Sequence, residues 1–177
     1  MKILVFLQGT VTVHENAKNR EREEIIKQVI EGDESVKNYR SYIPIGNAVK
    51  KLQNWRKQGA EICYLSALTQ SKNAREDERV SGKEDIKADE IVLKKHGFPD
   101  GKIYHRKSGE EYKDVVEKIK PLPDILIEDD CESIGKEEMT YPSLRPELKA
   151  KIKSIVVKEL IGIDHLPDKV SGLLNFV

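Results

Sequence analysis

Three short stretches of this chain hold side chains able to do chemistry, and each stands at the end of an apolar run. Glu128, Asp129 and Asp130 are the densest of them. Adjacent carboxylates repel one another unless they are solvated, paired or bound to metal, and carboxylate oxygens are the preferred ligands of a hard cation such as Mg²⁺. Gly9 and Thr10, within FLQGTVT (6–12), close a turn at a strand end. There glycine lets a ligand approach the backbone, threonine offers a hydroxyl, and exposed N–H groups can hold an anion. Ser66, in AEICYLSALT, adds a second hydroxyl. His14, just past the first loop, is within reach of the same ligand. Each residue also has a plain structural use: Gly9 as a turn residue, Ser66 as a helix cap, the acidic run as a solvated or capping segment.

These residues need a scaffold that brings distant loops together. Lys2 to Leu7 is a nearly continuous apolar run rich in β-formers, which suits a strand buried on both faces of a parallel sheet. Glu61 to Leu65, opening onto Ser66, and Asp124 to Asp130 read the same way, with Ser154 to Val157 as a last strand and Lys102 to His105 as a weaker one. Helical spacing marks 19–31, stopped by Gly32, and the segment after Pro44, where Ala48, Val49, Leu52 and Trp55 share a face. Further helices are predicted over 85–96, over EEYKDVVEKIK (110–120) and over 145–152. Residues 70–87 are highly charged and poorly periodic, a loop or a solvated helix by pattern. Strands alternating with helices predict an α/β fold with a mainly parallel sheet, whose ligands bind beyond the carboxyl ends of the strands. The three chemical stretches all fall there.

The 177 residues suit a single domain, 1–177, with residues 160–177 docked as a partly apolar tail. Thirty-one basic and thirty-one acidic residues cancel, so no global field attracts nucleic acid or an anionic membrane. The basic clusters at Arg20 to Arg22 and Arg106-Lys107 lack interleaved aromatics, which also speaks against nucleic acid. The longest apolar run, ILVFL, is far below the roughly 20 residues of a membrane span, and a soluble, cytoplasmic protein is expected. Cys63 and Cys131 have neither the number nor the spacing of a disulfide framework or a zinc knuckle.

The order of the loops resembles the haloacid dehalogenase superfamily. Gly9, Thr10, Val11 and Thr12 match the end of that family's Asp-x-Asp-Gly-Thr motif, Ser66 its second motif, Lys107 or Lys113 its third, and Glu128, Asp129 and Asp130 its acidic fourth. The resemblance covers roughly 1–157. It implies a three-layer, Rossmann-like core with at most a small helical flap at about 15–40. It also implies a departure: Phe6 stands where the family has its nucleophilic Asp, and Gln8 where it has its acid/base Asp. Phenylalanine can neither attack phosphorus nor ligate Mg²⁺, and an amide cannot titrate.

The expectation is therefore a protein without conventional phosphatase activity. Its uses would be to bind a phosphate-bearing small molecule through Gln8, Gly9, Thr10, Ser66, Lys107 and Lys113, or to serve a regulatory or structural role. Two alternatives stand beside it. One is a hydrolase in which Glu128, Asp129 and Asp130 hold Mg²⁺ and a metal-bound water attacks directly. The other is an interaction scaffold using the charged 70–87 segment or the apolar tail.

Overall fold

The computed structural model describes residues 1–70, 83–134 and 138–176, so most of the charged 70–87 segment lies outside the described residues. Five parallel strands form the central sheet: β1 (Lys2–Phe6), β4 (Glu61–Gln70), β5 (Ile103–Lys107), β6 (Ile125–Asp129) and β7 (Lys153–Val157). Their spatial order is β5-β4-β1-β6-β7. A second, antiparallel ladder pairs β2 (Thr12–Val13) with β3 (Ile43–Pro44).

Alternation along the strands sets up two cores. Ile3, Val5 and Leu7 face one side with Ile62, Tyr64, Ile125 and Ile127, where α3 (Ala48–Lys57) brings Leu52 and Trp55. α4 (Lys83–His96) adds Leu93 to this layer. Leu4, Phe6, Cys63, Leu65 and Leu126 face the other side against Tyr112, Val115 and Val116 of α5 (Tyr112–Lys118). Period-two side-chain alternation in strands covered on both faces explains the unbroken apolar runs of the sequence. Residues 160–176 lie against the first layer: Ile163 and Leu173 are fully buried, and Trp55 Nε1 donates to the Pro167 carbonyl at 2.9 Å. Leu173 thus belongs to the core and offers no partner surface.

Between β2 and β3 runs a helical insert. It comprises a 3₁₀ turn at Glu15–Ala17, α1 (Arg22–Glu31), α2 (Glu34–Lys37) and a second 3₁₀ turn at Tyr39–Ser41. Gly32, at φ 75°, closes α1 in the left-handed conformation that glycine tolerates best, and Asp33 then caps α2 by accepting the Ser35 N–H. Ile25, Val13, Ala17, Ile45 and Leu160 form a small core of their own under this insert.

Three elements differ from the pattern-based reading. β4 continues past Leu65 to Gln70, with a register shift between Leu65 and Thr69. Ser66 is therefore a strand residue and not the first residue of a loop. The helix expected over 145–152 is one turn, α7 (Pro146–Lys149), preceded by another, α6 (Thr140–Ser143). The helix expected from Asn19 starts at Arg22, since Asn19 takes a φ of 58° that no helix accommodates. Among the described residues no helix is long and apolar enough to cross a membrane.

Candidate functional site

β1 is flanked by β4, which follows it in the sheet's first half, and by β6, which opens the second half. The loops leaving β1 and β6 thus diverge around a crevice, the place where α/β sheets bind ligands. A cavity of about 260 Å³ occupies it. Phe6, Gln8 and Gly9 line it from β1 and its loop, and Glu128, Asp129 and Cys131 from β6 and beyond. Val29, Val36, Tyr39 and Tyr42 close it from the insert, and Glu159 and Leu160 from the segment after β7. His14 also reaches it, with Nε2 2.9 Å from Gln28 Oε1.

Each carboxylate of the acidic run has a separate structural partner. Asp129 is 5 % exposed; its Oδ2 accepts the Thr10 hydroxyl at 2.7 Å and its Oδ1 the Cys131 N–H at 3.1 Å. Glu128, equally buried, accepts the backbone N–H groups of Thr140 at 2.6 Å and Tyr141 at 2.9 Å, and so caps α6. Asp130 pairs with Lys158 at 3.1 Å. Burial pushes Glu128 and Asp129 above the ordinary carboxylate range, against the pull of those donors. For Asp130 partial burial acts in the same direction but is outweighed by the Lys158 ammonium and the N–H groups of Glu159 and Glu132, which hold it low.

The turn after β1 is equally self-satisfied. The Gly9 N–H donates to Thr12 O, and the Val11 and Thr12 N–H groups both donate to Leu7 O, each at 2.9 Å. Three of the loop's N–H groups are thus spent within it, and the Thr10 hydroxyl is spent on Asp129. Gly9 is nonetheless required: at φ 84° a Cβ there would come within 3.1 Å of Asp129 Oδ2.

Gln8 is locked from both ends of its amide. Nε2 donates to Asp89 Oδ1 and Oε1 accepts from the Ala67 N–H, both at 2.9 Å. Asp89, on α4 and itself buried, also takes His105 Nε2 at 2.8 Å. Phe6 packs into the layer under α5, edge-on to Tyr112.

The other expected ligand residues stand apart from the cavity. Ser66 is fully buried and its hydroxyl accepts the Leu68 N–H at 3.0 Å, inside the irregular part of β4. Lys107 ends β5 with its side chain exposed. Lys113 pairs with Glu111 at 2.6 Å. Neither lysine lines the cavity.

The donor set does not fit Mg²⁺. Phe6 has no oxygen to offer, Asp129 has both oxygens engaged, and Asp130 is ion-paired. Among the described residues no group of three His, Cys, Asp or Glu side chains is placed to hold a metal. Neither a protein-family model, nor a curated protein, nor a solved structure matches this chain. Geometry and chemistry alone therefore carry a functional reading.

Two residues that matter here escaped the sequence reading. Asp89 was not singled out within the helix predicted over 85–96, although its neighbours Ala88, Val92 and Leu93 mark that face as buried. Glu159, two residues past β7, stood outside the stretches considered, although it follows a strand carboxyl end as the others do.

Proposed function

We propose that this chain is a haloacid dehalogenase-like protein that has given up phosphoryl transfer and uses the crevice between β1 and β6 to bind a small molecule. Support for the scaffold comes from the parallel sheet, from the convergence of the loops after β1 and β6 on one cavity, and from the helical insert between β2 and β3 that roofs it. The observation that carries the loss of catalysis is Phe6, a core side chain packed under Tyr112 at the position of the family's nucleophile. Gln8 at the acid/base position supports the same reading, because an amide held by Asp89 and Ala67 does not titrate and so cannot shuttle a proton to a leaving group.

The ligand is less well served as a phosphate than the sequence suggested. Among the described residues the cavity wall holds Glu128, Asp129, Glu138 and Glu159 and no lysine or arginine. A dianion there would be repelled by those carboxylates.

The test pairs two measurements on the full chain. Hydrolysis of p-nitrophenyl phosphate and a set of sugar phosphates with Mg²⁺ should stay at the level of a no-protein control. A thermal-shift screen of small molecules should give hits that vanish in Val36→Trp, which fills the cavity from its roof. Phosphatase turnover that survives repurification and is lost in Asp129→Asn would overturn the reading.

A further inference from the structure

Glu159 gives the cavity a chemical preference. It is 7 % exposed, and its Oε2 accepts two backbone N–H groups, from Ser133 at 2.8 Å and Ile134 at 3.2 Å. Among the described residues Oε1 has no hydrogen-bond partner and no cation pairs with the carboxylate, although the side chain lines the cavity. Arg22 bonds to the Glu159 backbone carbonyl and to the Ser133 hydroxyl, not to the carboxylate. A largely buried carboxylate on a mainly apolar cavity wall gains from a cation that meets it there.

The rest of the wall fits one kind of cation. Phe6, Val29, Val36 and Leu160 supply apolar surface, and Tyr39 and Tyr42 stand as an aromatic pair with ring centroids 5.2 Å apart. The Tyr42 hydroxyl is turned away to the Val36 carbonyl at 2.8 Å, leaving its ring to the cavity wall. Aromatic faces attract an organic ammonium, and aliphatic walls favour its hydrocarbon body. Glu128 and Asp129 add negative field but no free acceptor, since their four oxygens are taken by backbone N–H groups and the Thr10 hydroxyl.

We propose that the cavity takes a small, largely apolar amine, whose ammonium group pairs with Glu159 while its hydrocarbon part lies against the tyrosines and valines of the insert. This rests on the reading above that the crevice binds without hydrolysing, and adds the charge and polarity of the occupant.

The experiment uses four probes of one shape and different charge: phenethylamine, phenethyl alcohol, phenylacetate and phenyl phosphate. Each is titrated calorimetrically into the full chain, into Glu159→Gln and into Val36→Trp. Glutamine at 159 keeps an oxygen for both N–H groups and removes only the charge. The amine should bind about tenfold or more tightly than the alcohol, with the two anions weaker than either. Glu159→Gln should erase the amine's advantage, and Val36→Trp should abolish binding altogether. The proposal is overturned if phenyl phosphate binds as well as the amine, if the amine's advantage survives Glu159→Gln, or if no probe binds. Equal binding of amine and alcohol defeats the charge assignment and leaves the cavity reading standing. Turnover of phenyl phosphate would defeat the non-catalytic reading itself.

Discussion

Phe6 and Tyr112 meet edge to face, ring centroids 4.9 Å apart and planes at 75°, and the Arg106 guanidinium lies 3.8 Å over the Tyr112 ring. This places the side chain at the end of β1 in the core between the sheet and α5, with Leu4, Leu65 and Leu126 in the same cluster. Aromatic edge-to-face contact and cation–π stacking each stabilise such an arrangement beyond simple area burial. The packing at the end of β1 is therefore built around the Phe6 ring.

Phe6→Asp should consequently destabilise the fold and create no phosphatase activity. Losing the ring and burying an unpaired carboxylate costs about 3–5 kcal/mol, with no metal donor set to neutralise it. Urea denaturation should show that loss, and phosphoester hydrolysis with Mg²⁺ should remain at background. Activity appearing in this single variant would mean that the rest of the catalytic apparatus is intact.

The bond from Thr10 to Asp129 should behave as the clasp between the β1 and β6 loops. Thr10→Val leaves a buried carboxylate oxygen without its donor, at a cost of about 1–3 kcal/mol. In a double-mutant cycle with Asp129→Asn the two residues should couple by about 1 kcal/mol or more, because they touch and share one network. Strict additivity of the two changes would show that the contact contributes nothing.

Stability should also report the burial of Asp129 through pH. The folded values of Glu128 and Asp129 lie above their ordinary 4.5 and 3.8, so the folded protein holds these protons more tightly than the unfolded chain. Their contribution is fully present below those ordinary values and is lost as pH rises through the folded ones. Asp130 acts oppositely: held below 3.8, it stabilises at higher pH and loses that contribution on acidification. As pH rises above about 3.8, wild type should therefore lose stability relative to Asp129→Asn. A gap moving the other way would mean that Asp129 is ion-paired when folded.

How much of this was legible beforehand depended on what a one-dimensional pattern can encode. β1, β6 and the start of β4 were readable because burial on both faces forces an apolar run, and α1 and α3 because one buried stripe forces a helical period. The far end of β4 was not, since its bulge breaks the register where Ser66 turns its hydroxyl back onto the Leu68 N–H. The grouping of Gly9, Thr10 and Asp129 was legible from their places at strand ends. The duties of Glu128, Asp129 and Asp130 were not: identical neighbouring carboxylates meet a helix N-terminus, a loop hydroxyl and a lysine, and those partners come from distant segments. Lys107 and Lys113 show the converse, residues of the right type placed away from the cavity.

Gln8 and Asp89 yield the sharpest test, because they explain why position 8 tolerates an amide. Asp89 is buried and accepts from Gln8 Nε2 at 2.9 Å and from His105 at 2.8 Å. An aspartate at 8 would lose that donor and set a second carboxylate toward the first, where like charges in a buried site cannot both ionise cheaply. Gln8→Asp should thus cost about 2–4 kcal/mol near neutral pH, and less in mild acid, where one of the pair takes up a proton. Asp89→Asn should recover much of the loss in the double variant, since the asparagine amide can donate to Asp at 8. Chemical denaturation of the two single variants and the double variant at about pH 5 and pH 7.5 reads this directly. Rescue at the higher pH would show that Asp89 is the partner that selects glutamine over aspartate at the end of β1. A Gln8→Asp variant as stable as wild type at both pH values would remove Asp89 from that role.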